Sequence, residues 1–335
     1  MTQPAQPRRR RLGTYWMRVA AVWLLAGMQR MGMVGFKSIL IAQSKRSCVQ
    51  RRLRSETSRL RSVAAFAAMS AISVSYPTIL RAAGSLNVKW DQSSAGASLD
   101  VDAMRLIFSE EFDEDSLNGP KMFAPVHAPY GAGLFDQPGS RSYQIHDGLL
   151  TLRAFRRDGV WHSGSVQSAN AAQSAGKASF GKRGFACRSC YFEARLRLPK
   201  GAEPGFWGAF WLLSPQGNDG HTEIDVIEWY GGDPKGHHQG VHVWPRDRAH
   251  SGQSNYRGIP ALQDGEWHTY GAQMTSDLIL HIYMDRQEIS KVVLPPQFSA
   301  DYYALLTLAV LPKEASTPQE PLMMNADYVR AYVGP

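Results

Sequence analysis

Cysteine is scarce in this chain, with three residues among 335. Cys48 stands alone near the N-terminus, and Cys187 and Cys190 form one CRSC pair. A zinc ribbon needs a second pair, and a redox CxxC belongs with a βαβ pattern. Neither context is present, so the pair reads as a local disulfide or two reduced thiols. Acidic residues are nearly missing from one end. Residues 1–84 hold 15 of the 37 Lys and Arg but a single acid, Glu56; the other 22 bases share residues 85–335 with 28 acids, a net charge of −6. The +8 of the whole chain is therefore local. The body of the protein has no excess of positive charge with which to track phosphates, which argues against nucleic acid as a partner.

Long apolar runs are missing as well. VAAVWLLAGM is ended by Gln29 and Arg30, and SVAAFAAMSAISVSYPTIL is rich in Ala and Ser and contains Pro77. Neither is a convincing spanning helix. Each follows a basic stretch, RRRRLGTYW or RRLRSETSRLR, in the layout of a secretory signal. Residues 1–84 thus read as a basic leader with a signal-like or anchor segment, with cleavage near Ala82 or Ala83 and a secreted or periplasmic destination. Membrane contact is expected only through an uncleaved leader. Residues 85–103, polar and Ser-rich, read as a linker.

From residue 104 helical periodicity is absent. MRLIFSEEF, SYQIHDGLLTLRAF, CYFEARLRLP, WGAFWLLS, TEIDVIEWY, QGVHVWP, WHTYGAQMT, LILHIYMD, ALLTLAVL and ADYVRAYV are short alternating runs split by Gly, Pro and Asp. Ten strands at regular spacing imply an all-β fold, a two-sheet sandwich or a barrel.

One run carries the chemistry. HTEIDVIEWY, residues 221–230, places Glu223, Asp225 and Glu228 within six positions. Alternate residues of a strand share a face, so Glu223 and Asp225 project together while Ile224 and Val226 point into apolar packing. A regular strand would bury Glu228. A β-bulge around Val226–Ile227 resets the alternation and returns Glu228 to the face of the other two acids. Three adjacent carboxylates repel, which raises at least one pKa. Retaining glycoside hydrolysis uses such a set: one carboxylate attacks the anomeric carbon and a second, about 5–5.5 Å away, protonates the leaving oxygen. The plainer alternative is a solvated acidic strand face, although strand interiors are poor in Asp and Glu. A metal site would have to draw on His221, His237, His238 and His242 with Glu223 and Asp225, but no HExxH spacing occurs. No catalytic cofactor is expected.

The EIDVIE run resembles the active-site signature of glycoside hydrolase family 16, the jelly-roll endo-glycanases that include laminarinases, lichenases and agarases. The resemblance spans roughly 105–334. FSEEFDEDSL is similar to the family's opening strand, QIHDGLLTLRA to its second, and GFACRSCYFEARLRLPKGAEPGFWGAFWLLS to its central strand and Trp-rich block. WHTYGAQMT, HIYMDRQEI and MNADYVRAYV are similar to later strands. The resemblance implies a two-sheet jelly roll over 104–335, with Glu223 as nucleophile, Asp225 as assisting acid and Glu228 as general acid/base. It also implies a His near the acids at His242. It puts a cleft wall in the segment of Trp161, and a structural calcium held by Glu111, Gly148 and Asp327. Trp207, Trp229 and Trp211 are the nearest tryptophan candidates and are expected to stack on sugar faces.

The chain departs from the family pattern in places. WGAFW stands for the common Trp-Pro-Ala-Phe-Trp, Ala309 and Val310 replace an Asn-Leu-Ala pattern, and Ala326 precedes Asp327. The bulged signature leans towards members acting on β-1,3 or galactan linkages. The resemblance implies a monomeric endo-glycanase on a β-linked polysaccharide, a β-glucan first or a bacterial exopolysaccharide. Rival readings are a transglycosylase with the same acids and a lectin-like protein that binds sugar without turnover.

Overall fold

A computed structural model describes residues 86–334, apart from 94–95, 115–121, 123–128, 137–138, 170–183, 216, 218 and 317–319. The leader expected at 1–84 lies outside the described residues.

Among those residues there are seventeen strands, three short 3-10 turns and no α-helix. One sheet contains β1 (Trp90–Asp91), β2 (Arg105–Glu110), β5 (Tyr143–His146), β6 (Leu149–Arg157), β8 (Tyr191–Arg197), β13 (Trp267–Met274), β14 (Ile279–Met284), β15 (Gln287–Val293) and β17 (Leu322–Val333). Its pairing runs β1–β15–β14–β13–β8–β17; β17 then pairs with β6 through Leu322–Ala326 and with β2 through Val329–Val333. The other sheet contains β7 (Val160–Gln167), β9 (Phe206–Leu213), β10 (Gly220–Tyr230), β11 (Gly236–Pro245), β12 (Ser251–Gly258) and β16 (Tyr303–Val310). Its order is β12–β11–β10–β9–β16–β7, all antiparallel, with β4 (Gly133–Phe135) parallel to β7 and β3 (Pro129–Tyr130) outside it. The two sheets meet at the β6–β7 hairpin, turned by Asp158 and Gly159 at positive φ, the conformation a two-residue hairpin turn requires.

Alternation explains the sandwich. Ile224, Val226, Phe210, Leu212, Val241, Leu306 and Leu308 of one sheet pack with Leu152, Phe192, Ala194, Tyr270, Ile282 and Val329 of the other in a single buried cluster. The fold is the expected all-β two-sheet jelly roll.

The segment read as a linker is part of this fold. Val88 and Val101 are buried and Trp90 pairs with Val292 of β15. The Leu86 and Val88 amides donate to the Ser251 hydroxyl and the Gln253 side chain on β12, at 2.6 and 2.9 Å. The Ser-rich composition concealed three apolar residues, Val88, Trp90 and Val101, that suffice to hold it down. Cys187 and Cys190 are joined in a disulfide, and the Cys187 and Tyr302 backbones exchange two hydrogen bonds beside it.

Candidate active site

β10 carries the three acids, and its bulge lies where the spacing demands. Pairing with β9 steps from Asp225↔Trp211 to Ile227↔Phe210, and pairing with β11 from Asp225↔Gly240 to Glu228↔His238. Val226 is the inserted residue. Val226 and Ile227 are both buried in the core, and Glu223, Asp225 and Glu228 share the opposite face.

Burial, then the negative charge of Asp225, pushes Glu223 up to about 8 and Glu228 up to about 7. Hydrogen-bond donors oppose the shift. The Trp244 indole N–H donates to Glu223 Oε2 at 3.0 Å, and the Trp207 indole N–H to Glu228 Oε1 at 2.9 Å. Tyr230 adds a hydrogen bond to Glu228. Two glutamates flanking one aspartate titrate as a system. A single proton shared between them leaves one carboxylate and one acid, the pair a double displacement needs.

His242, opposite Glu223 on β11, brings its Nε2 to 2.9 Å from Asp225 Oδ2. Burial works against its charged form, but the Asp225 hydrogen bond and the charges of Asp225, Glu223 and Glu228 prevail and raise its pKa. The ring has room because its neighbours lack side chains. A Cβ on Gly240 would collide with Asp225 Oδ2, and one on Gly252, opposite His242 on β12, would overlap the ring.

The Glu223, Asp225 and His242 ligand atoms all lie within 4.8 Å of one another. The arrangement does not suit a metal: His242 Nε2 is engaged with Asp225, and its Nδ1 with His250 Nε2 at 2.9 Å. The other histidines do not converge there. His237 is fully buried against Tyr270, His238 pairs with Asp233 at 3.1 Å, and His221 stacks on Trp244.

The expected aromatics divide. Trp207 and Trp211 are part-exposed on the acid face, Trp211 directly opposite Asp225 with its N–H on Thr307 Oγ1 at 2.9 Å. Trp229 does not line the site. It has no exposed surface, packs edge-on against Phe206 and donates to the Pro234 carbonyl at 3.0 Å. Trp161 is not an open cleft wall either. It is 3% exposed, donates to the Ala315 carbonyl and lies under the Arg156 guanidinium.

The calcium ligands expected at Glu111, Gly148 and Asp327 do not assemble as a carboxylate site. The Glu111 carboxylate takes a bidentate pair from Arg330 at 2.7 and 2.8 Å, and Asp327 takes Arg195. Among the described residues, the Asp113 side chain and the Glu111 carbonyl lie nearest to where a Cβ on Gly148 would stand, at 3.5 and 3.9 Å. Two arginine charges at the donor set are the opposite of what a divalent cation needs, so the residues do not fit the ion.

Sequence reasoning missed Trp244, Tyr230 and His250. Trp244 could have been found, because it follows His242 by two positions on one strand and so shares its face. Tyr230 follows Glu228 in the same way.

Residues 151–304, which include all three acids, match the sequence profile of glycosyl hydrolases family 16. An endo-1,3-1,4-beta-glycanase of Rhizobium meliloti is 32% identical over 146 residues, 42% of this chain and 30% of that protein, so the chain spans under a third of that relative's length. Two solved structures share the fold. A mixed-linkage-glucan family 16 protein of Bacteroides ovatus superposes with a TM-score of 0.55 at 21% identity, over 67% of this chain and 99% of that one. An endo-beta-1,3-glucanase of Pyrococcus furiosus superposes with a TM-score of 0.53 at 20% identity, over 69% and 94%. With the bulged acid strand inside the matched stretch, the β domain of this chain resembles glycosyl hydrolases family 16 in sequence and shares the fold of its solved members.

Proposed function

We propose that the chain is an exported, retaining endo-glycosidase that cleaves internal bonds of a β-linked polysaccharide, a β-glucan or a bacterial exopolysaccharide. The observation that carries this reading is the bulge at Val226, which turns Glu228 to the face of Glu223 and Asp225. A strand kept for packing alone has no use for three acids on one face.

The proposed reaction runs in two displacements. Glu228 donates its proton to the glycosidic oxygen as that bond breaks, and the Glu223 carboxylate closes on the anomeric carbon. The covalent sugar–Glu223 ester is then attacked by water, whose proton passes to Glu228. The positive charge that develops on the sugar ring draws negative charge to the carboxylate facing it, which places the shared proton on Glu228 when substrate is bound. His242, held against Asp225, keeps that third acid in place as a hydrogen-bond acceptor. Trp207 and Trp211 offer flat faces for sugar rings on either side of this chemistry. Export rests on the basic-then-apolar pattern of residues 1–84.

The test is reducing-end release by the full chain on laminarin, mixed-linkage glucan, agarose, carrageenan and a bacterial exopolysaccharide, with Glu223→Gln as blank. Release on one polymer, absent in the blank, with β-anomeric product first seen by NMR, is the expected result. Retention of the folded chain on a polymer without any release would overturn turnover in favour of binding alone.

A further inference from the structure

We propose that His250 is a positioning residue of the acid site: its Nε2 fixes the His242 ring against Asp225 while its face holds the Trp244 indole on Glu223. The inference rests on the reading of these acids as catalytic, but its geometry stands apart from any substrate.

His250 belongs to the turn RDRAH between β11 and β12, eight residues beyond His242, and is exposed. It returns over the site to make two contacts. Its Nε2 lies 2.9 Å from His242 Nδ1, and its ring stacks on Trp244 with centroids 3.9 Å apart and planes inclined by 27°. Those two partners each touch one of the acids, His242 at Asp225 and Trp244 at Glu223. One side chain therefore ties both hydrogen bonds together.

The proton count along this chain of contacts is constrained. A carboxylate at Asp225 requires a hydrogen on His242 Nε2. Between His242 Nδ1 and His250 Nε2 there is one hydrogen for one bond. When His242 is an imidazolium, both its nitrogens donate and His250 accepts with Nε2, carrying its own hydrogen on Nδ1. A lone pair placed there favours the charged form of His242. The charges facing His242 are those of Glu223, Asp225 and Glu228 from β10; β12 contributes Gly252, which has none. In the turn itself, Arg246 is directed to the Gly217 carbonyl and Arg248 to Asp247. His221 faces Trp244 rather than His242. The network thus favours the charged form of His242 in the middle of three acids, with the ring held from the solvent side by an exposed side chain.

Three substitutions separate the two contacts. His250→Phe keeps a ring for Trp244 and removes the nitrogen, His250→Gln restores an acceptor without the ring, and His250→Ala removes both. The experiment is a pH titration of the side-chain 15N resonances in the full chain labelled at histidine, with His242→Gln identifying the signals. The expected result is a His242 midpoint that falls by about one pH unit in His250→Phe, recovers in His250→Gln, and is lowest in His250→Ala. The Trp244 indole N–H resonance should move in His250→Ala and stay in His250→Phe. Unchanged melting temperatures exclude a general loss of structure, as substitution of an exposed turn residue predicts. A His242 titration in His250→Phe that overlays the parent's would overturn the proposal. Because no substrate is present, this outcome is independent of whether any polymer in the turnover panel is cleaved.

Discussion

Trp244 lies diagonally across the β10–β11 pair from Glu223 and donates its indole N–H to Oε2 at 3.0 Å. An N–H aimed at a part-buried carboxylate favours the ionised form, and Glu223 needs that form to attack. A hydrogen bond to a charged group contributes about 1.5–3 kcal/mol. Trp244→Phe keeps an aromatic face and loses only the donor, so kcat should fall about 10- to 100-fold with KM changed far less. An equal rise in KM at constant kcat would show instead that Trp244 serves sugar binding and not the charge on Glu223.

Trp229 and Trp207 separate stability from turnover. Trp229 is a buried core side chain whose indole also caps the Pro234 carbonyl. Trp229→Ala should cost about 3–5 kcal/mol, seen as a large drop in melting temperature. Trp207→Phe leaves a ring on the surface and removes the donor to Glu228 Oε1. Below about pH 5, where Glu228 holds its proton, its melting temperature should stay near the parent's, while turnover falls. The reverse pattern, a stable Trp229→Ala with altered substrate preference, would return Trp229 to the cleft.

These two tryptophans show how far the sequence could be read. The odd spacing of Glu228 implied a bulge, and the registers with β9 and β11 place it at Val226. The same logic, carried one residue further, turns Trp229 inward: once Glu228 is outside, its neighbour must be inside. Nearness in sequence to the acids had suggested otherwise. Trp161 was beyond any local pattern, because its cover comes from Ala315, 154 positions away. The 86–103 segment was misread for a related reason. Its polar composition is real, yet two backbone donors reach β12 and Trp90 pairs with β15, about 165 to 200 residues along the chain, while Val101 packs with Tyr191, Tyr283 and Tyr332.

Glu111 and Arg330 form a two-pronged pair, with nitrogen–oxygen distances of 2.7 and 2.8 Å. Bidentate geometry of this kind is stronger than a single ionic contact, and it occupies the oxygens a cation would use. Adding EDTA should therefore leave the melting temperature unchanged, whereas Arg330→Leu should lower it. A rise in melting temperature with calcium that Arg330→Leu enhances would mean that the cation and the guanidinium compete for the same carboxylate.

Glu223 and Glu228 make the site costly to fold at neutral pH. Both lie above the ordinary carboxylate value of 4.5, Glu223 at about 8 and Glu228 at about 7, chiefly through burial and then through the charge of Asp225. A group whose pKa is raised by folding contributes its full stability below the unfolded value and loses it as pH rises through the folded value. For Glu223 the loss therefore runs from about pH 4.5 to about pH 8. Glu223→Gln removes the ionisation and keeps the shape, so the variant should match the parent's melting temperature at pH 4 and exceed it by several degrees at pH 8. Trp244 reinforces the test. Its N–H lowers the cost of the Glu223 charge, so Trp244→Phe should melt lower than the parent at pH 8 and alike at pH 4. If Glu223→Gln were less stable than the parent at pH 8, the Glu223 charge would be a net stabiliser and the argument from burial would fail.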